Sequence, residues 1–295
     1  MTQNPPSGIL CIHKPQQFTS FDVVRKLRGI THTKKNGHAG TLDPMATGIL
    51  PVFVGRATRA VEFTENYDKE YVAGLRLGQV TNTQDTSGEV LEEKPVTVSR
   101  EDVERVLEQF RGPIQQVPPM YSAIKVNGKK LYELARKGKE VERKARQITI
   151  AELELVEQVS QTDYVLRISC SKGTYVRTLC HDIGQALGCG ATMYSLRRTR
   201  VGPFREGVAL EQVQQAASVE RAVELLAPVD GCFVQHPAVA ATEREWTKFI
   251  RNGTPYTSEL DEGTYRVYGP DGAFLMLGRV DNGLMTTIKS FFEVK

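Results

Sequence analysis

Apolar residues recur at helical spacing in some stretches of this chain and at every second position in others. Phe21, Val24 and Leu27 share one face of a helix predicted over 19–29, with Gly29 as its stop. Tyr71, Ala73, Leu75 and Leu77 alternate with Val72, Gly74 and Arg76, which predicts a strand over 71–77. Residues 99–111 form the clearest helix: Ser99 is the N-cap, Asp102 stands three residues on, Val103, Val106, Leu107 and Phe110 make the stripe, and Gly112 ends it. Tyr164, Leu166, Ile168 and Cys170 mark a second strand, 163–171, which runs through Gly173 towards a helix at about 178–188. A further helix is expected at 209–226. Helices and strands mixed in this way predict an α/β or α+β domain.

The character changes near Pro228. From 237 onward one short helix (243–250) is followed by strands, with strong turn signals at Pro270-Asp271-Gly272 and Asp281-Asn282-Gly283. The reading is therefore two domains, 1–236 and 237–295, the second small and β-rich. A length of 295 residues accommodates both.

Composition excludes several classes. Hydrophobic residues make up 40%, enough for a packed core, and no run approaches the ~18 apolar residues of a membrane span. The N-terminal MTQNPPSG has neither a cationic nor an apolar signal region, so a soluble, cytoplasmic protein is expected. Cys11, Cys170, Cys180, Cys189 and Cys232 are odd in number and contain no CxxC, so free thiols in a reducing compartment are expected. Cys180 and His181 with Cys189 fit no common zinc spacing, so no metal site is expected.

The net charge is only +3, but its distribution is uneven. Between Lys125 and Arg146 nine basic residues, among them Lys125, Lys129, Lys130, Arg136 and Lys137, face only Glu133, Glu140 and Glu142. Asn127-Gly128 is a hairpin-turn signal, so this segment can project as an arm, and Tyr121 and Tyr132 can stack on bases. A second cluster holds Arg197, Arg198, Arg200 and Arg205, and a third Arg25, Lys26, Arg28, Lys34 and Lys35. Three basic clusters in a chain of near-neutral total favour a nucleic-acid partner.

The stretch Gly37-His38-Ala39-Gly40-Thr41-Leu42-Asp43-Pro44-Met45-Ala46-Thr47-Gly48-Ile49-Leu50 crowds glycines and small polar residues around one carboxylate and one histidine. Pro44 biases Asp43 to an extended conformation, which holds its carboxylate on a loop. Taken singly, Asp43 reads as a turn former and His38 as a loop histidine. There is no second carboxylate nearby, no Ser-His-Asp order, and no Gly-Lys-Ser/Thr ending of a phosphate loop.

This stretch, GHAGTLDPMATGIL, resembles the signature of the TruB family of tRNA pseudouridine synthases. Three further segments agree, in the family's order: His13-Lys14-Pro15 with Thr19-Ser20; Pro118-Pro119-Met120-Tyr121-Ser122-Ala123-Ile124-Lys125; and Cys170-Ser171-Lys172-Gly173-Thr174-Tyr175-Val176-Arg177. The match spans about residues 8–205. Gln17 stands where the family's first motif usually has glycine. The resemblance implies a catalytic domain with a mixed, mainly antiparallel central sheet flanked by helices, an RNA-gripping insertion at about 119–147, and a C-terminal PUA-like RNA-binding domain.

It also implies roles. Pseudouridine formation breaks the N–C glycosidic bond of uridine, turns the base and rejoins it through carbon, so no cofactor is expected. An aspartate suits the nucleophile; that residue is Asp43, with Arg177 as its cationic partner. His38 helps accommodate a uridine flipped from the T loop, at position 55. Tyr71 stacks on the base or takes its ring proton, Tyr175 and Leu196 line the uracil pocket, and Lys14 supports the site. Lys125, Lys129, Lys130, Arg136, Lys137, Arg197 and Arg198 are expected to contact the tRNA stem-loop. The competing readings are a non-catalytic tRNA-binding or folding module and a guide-RNA-dependent relative in a larger complex. The set Asp43, Tyr71 and Arg177 favours an enzyme. The long insertion and the absence of an extended basic tail favour a stand-alone monomer without protein partners.

Overall fold

The computed structural model describes residues 6–126, 128–218 and 221–292. Asn127 of the expected hairpin turn, and residues 219 and 220 of the expected helix 209–226, lie outside them.

Local signals start the helices. Thr19 and Ser99 each form a reciprocal capping box with the aspartate three residues on, opening the helices Ser20–Thr31 and Arg100–Glu108. The first runs two residues past Gly29, and His32 takes the left-handed conformation that ends it. Its buried face is Val23, Val24 and Leu27, whereas Phe21 is 58% exposed. Phe21 sits about 100° round the helix from the centre of that face, and the Arg28 guanidinium lies 5.6 Å from its ring. The helix expected at 178–188 begins earlier, as Val176–Ala186. The last expected helix is Leu210–Ser218 followed by a short 3-10 turn, Ala222–Leu225.

The central sheet runs in the order Val208–Ala209, Gly8–Lys14, Thr47–Val54, Ala191–Val201, Lys69–Leu77, Asp163–Cys170, Arg146–Gln158, Gly112–Gln116, with Asn36–His38 also paired to Thr47–Val54. Gly8–Lys14 with Val208–Ala209 and Thr47–Val54 with Ala191–Val201 are parallel pairs, and the rest are antiparallel. Tyr164, Leu166 and Ile168 alternate inward with Ala73, Leu75 and Leu77 and pack against Val103, Leu107, Leu179 and Ile183 of two helices. Each such side chain contributes about 1.5–3 kcal/mol on burial. The opposite face there is solvated and laced by the cross-strand ion pairs Arg76–Asp163 and Arg167–Glu154, as an antiparallel sheet allows. The helix Ser20–Thr31 covers a second core over Gly8–Lys14 and Thr47–Val54.

A second sheet of five strands begins at Ala238–Ala240 and holds Gly263–Tyr268, Phe274–Asp281 and Leu284–Ser290 in successive hairpins. Asn282 and Gly283 both take positive φ in the second hairpin turn. This β-rich unit packs on the 3-10 segment Gly55–Thr64 through Phe63, Phe233, Phe274 and Phe291. Among the described residues no helix is long and apolar enough to cross a membrane.

Gln17 has φ 67° while its N–H donates to Pro44 O at 2.7 Å. A side chain in that region costs about 1 kcal/mol. Gln17→Gly is therefore expected to raise the melting temperature by roughly 2–4 °C, and Gln17→Val to lower it, by calorimetry.

Candidate active site

Asp43 lies in the loop between the paired strands Asn36–His38 and Thr47–Val54. Four elements hold this loop. The Ser20 hydroxyl, in the first turn of its helix, accepts from Leu42 N at 2.9 Å. The fully buried Lys14 ammonium donates to Pro15 O, Phe18 O and Pro44 O at 2.9, 2.6 and 3.4 Å. Gln17 N holds Pro44, as above. Arg198 donates to Ile49 O at 2.8 Å and Gly40 O at 3.0 Å. At Gly48 a Cβ would lie 2.1 Å from Arg198 O, so only glycine lets the strand pass there.

Arg198, expected to contact the tRNA, is instead 1% exposed, with its guanidinium donating to the loop carbonyls of Ile49 and Gly40. It alternates with Arg197, which is exposed and borders a smaller cavity with Gln16, Thr47 and Val72.

The Asp43 carboxylate remains 39% exposed and accepts from Arg177 Nε at 3.0 Å. Arg177, in the first turn of the helix Val176–Ala186, is itself buried. Its other nitrogens donate to Thr83 O at 3.0 Å and Tyr121 O at 2.9 Å, and Nη1 lies 3.7 Å from the buried Asp85 carboxylate. Asp85 accepts in turn from Thr83 Oγ1 at 2.8 Å and Ser87 N at 3.0 Å. The guanidinium is thus clamped between a buried anion and an accessible one, which aims Nε at Asp43. The Gln116 side chain exchanges two hydrogen bonds with the Tyr175 main chain, at 2.8 and 3.1 Å, and so positions the start of the same helix. Sequence reasoning did not single out Asp85 or Gln116, and it named Ser20 only as part of the first family segment. Asp85 sits in a polar turn-rich run, Asn82–Gly88, whose only signal is that of a loop.

Asp43 opens into a cavity of about 1090 Å³, which His38, Tyr71, Tyr175, Leu196 and Arg177 also line. Tyr121, Tyr132 and Arg136 bring the insertion to the same cavity. Tyr71 is buried, and burial raises its pKa, so it presents a neutral phenol. Burial, helped by Arg198, lowers the pKa of His38, whose Nδ1 is buried and has no hydrogen-bond partner among the described residues. In the insertion Lys125, Lys129, Arg136 and Lys137 are exposed, while the Lys130 ammonium and the Arg136 guanidinium each lie 5.5 Å from the Tyr132 ring. No group of three His, Cys, Asp or Glu among the described residues could hold a metal. The thiols are free, and burial pushes Cys170 up to about 11 and Cys180 and Cys232 up to about 12.

Residues 28–176 match the TruB family pseudouridylate synthase N-terminal domain, and residues 177–233 match the tRNA pseudouridylate synthase B C-terminal domain. The chain belongs to the TruB family. A tRNA pseudouridine synthase B of Syntrophomonas wolfei is 46% identical, over 93% of this chain and 94% of the relative. Another, of Clostridium kluyveri, is 43% identical over 96% of this chain and 99% of the relative. Among solved structures, a Cbf5-Nop10-Gar1 complex matches with TM-score 0.72 and 26% identity, over 97% of this chain and 85% of that one. The TruB domain match begins inside the helix Ser20–Thr31 and takes in the whole Asp43 loop; the C-terminal match begins at Arg177.

Burial lowers the Lys14 pKa from 10.5 to about 8, partly offset by Asp43. Because the folded value lies below the unfolded one, the unfolded chain holds more protons between about pH 8 and 10.5, so this residue's contribution to stability rises with pH across that window. Activity goes the other way, since the ammonium ties Pro44 of the loop to the carbonyls of Pro15 and Phe18. The turnover rate is expected to fall above a midpoint near 8. Lys14→Met is expected to be slower and flat across pH 7–9 in the same rate profile.

Proposed function

We propose that this protein isomerises a uridine in the T loop of tRNA, at position 55, to pseudouridine, with Asp43 as nucleophile. The observation that carries this reading is the 3.0 Å contact of Arg177 with a carboxylate that still opens to a large cavity. A pure RNA-binding module has no use for an acidic group aimed at a polyanion. The target nucleotide leaves the loop's stack and enters the cavity. Its base lies on the neutral face of Tyr71, between Tyr175 and Leu196, and His38 donates or accepts at the space the nucleotide takes. The Asp43 carboxylate bonds to the nucleotide as the N1–C1′ bond breaks, the detached base turns within the cavity, C5 bonds to C1′, the bond to Asp43 breaks and returns the carboxylate, and the C5 proton is lost while N1 gains one. No electrons are gained or lost overall. The raised pKa of Tyr71 favours the stacking role over that of a phenolate base.

The segment 119–147 grips the RNA, with Arg197 as a further cation, and residues 237–295 form a PUA-like RNA-binding domain. The enzyme acts in the cytoplasm as a monomer, without a protein partner. Its test is to incubate the purified protein with unmodified tRNA transcript, with no added metal or nucleotide, and map pseudouridine. One modified site in the T loop is expected; a different site, or none, sinks the reading. Neutralising Lys129, Lys130 and Lys137 together is expected to weaken tRNA binding and reduce the slope of log K against log salt by about 2. Binding isotherms at several salt concentrations measure both.

A further inference from the structure

The strand Lys69–Leu77 places Lys69 and Tyr71 on one face, roughly 6.8 Å apart along the backbone. Both line the large cavity. The Lys69 ammonium donates to Tyr67 O, its one hydrogen bond among the described residues, and an ammonium has three donors. Two N–H groups of this half-buried cation are therefore uncommitted, and among the described residues no carboxylate forms an ion pair with it. Burial lowers its pKa, with Arg198 and Lys172 acting in the same direction and Cys170 and Asp68 against it, so an anion arriving there would offset the cost of burial.

Two of the other cations lining the cavity are engaged. Arg177 and Arg198 are spent on carboxylates and carbonyls. Lys172, which donates to Asn66 Oδ1 at 2.6 Å, and Arg136, which lies over the Tyr132 ring, are exposed, whereas Lys69 is half-buried beside Tyr71. Opposite Lys69 stands Gly40, φ +74°, where a Cβ would come within 3.9 Å of Lys69 Cε. The absent side chain leaves space beside the ammonium.

We propose that Lys69 binds the backbone phosphate of the extruded nucleotide, its two uncommitted N–H groups meeting the phosphate oxygens while the base lies on Tyr71. The proposal rests on the cavity being the seat of that nucleotide. One strand then presents both ends of the substrate's recognition, a face for the base and a charge for the phosphate.

The test is a methylphosphonate scan of a T stem-loop RNA, replacing one phosphate at a time around the target uridine, with affinity measured for the wild type, Lys69→Met and Lys69→Arg. In the wild type one substitution is expected to weaken binding about tenfold. In Lys69→Met that substitution costs nothing further, and the salt slope falls by about 1. Lys69→Arg retains the sensitivity, which separates lost charge from lost fold. If Lys69→Met is as sensitive as the wild type at every phosphate, or binds with an unchanged salt slope, the assignment is overturned. These readouts are of binding. A wild type that binds with this pattern but makes no pseudouridine therefore refutes the proposed reaction and leaves the phosphate contact standing.

Discussion

Asp43→Asn is expected to lower the single-turnover rate of pseudouridine formation by at least about 10⁴-fold, while the affinity for tRNA stays within a fewfold of the wild type. The amide has nearly the shape of the carboxylate, and its oxygen can still accept from Arg177 Nε, now 3.0 Å from Asp43 Oδ2. The loop is held by Ser20, Lys14, Gln17 and Arg198 through main-chain atoms, none of which the substitution touches. What is lost is the nucleophile, because an amide oxygen does not form the covalent bond that the reaction asks of a carboxylate. Removing an anion from a cavity entered by RNA also lessens repulsion, so binding should not weaken. Rate and affinity falling together would mean that Asp43 is structural, and a variant that still converts uridine would remove it from the mechanism.

Arg177→Met is expected to damage both fold and activity. It strips the cation from Asp85, which is buried, and from Asp43, which is not. A buried anion left without its partner costs about 3–5 kcal/mol, and for a chain of this size that is roughly 10 °C in melting temperature. It also breaks the ties to Thr83 O and Tyr121 O, which join the base of the insertion to the polar loop beside the site. Asp85→Asn is the informative companion. It keeps the hydrogen-bond acceptor but removes the anion behind the guanidinium, so the rate should fall by more than the melting temperature accounts for. Calorimetry beside single-turnover kinetics separates the two. Equal stability in Arg177→Met and the wild type would show that the buried pair is not a pair in solution.

Much of the scaffold was legible from local signals. Ser99 with Asp102, and the alternations over 71–77 and 163–171, act within a few residues, and each gave its element in the expected place. Taken singly Asp43 read as a turn former, and its loop was legible through the resemblance of the whole stretch 37–50 to a family signature. The misreadings share one cause. Phe21 shares helical spacing with Val24 and Leu27, but which arc of a helix is covered depends on the sheet it meets. Arg198 was taken for surface because it sits among other arginines, yet strand alternation turns it inward while Arg197 faces out. Asp85 carries no local signal at all, since its role depends on an arginine from a distant helix.

The chain's own order of residues determined where helices begin, which stretches alternate as strands, which loop carries the acid and where positive charge is concentrated. These depend on backbone geometry and neighbours a few positions away. Only the tertiary structure decided which cations are spent inside and which face the cavity, that Arg177 lies between Asp43 and Asp85, and that Lys69 shares a wall with Tyr71. Burial and charge pairing are properties of strands brought side by side, and the energy of an ion pair depends on distance and solvent exposure, which the order of residues does not contain.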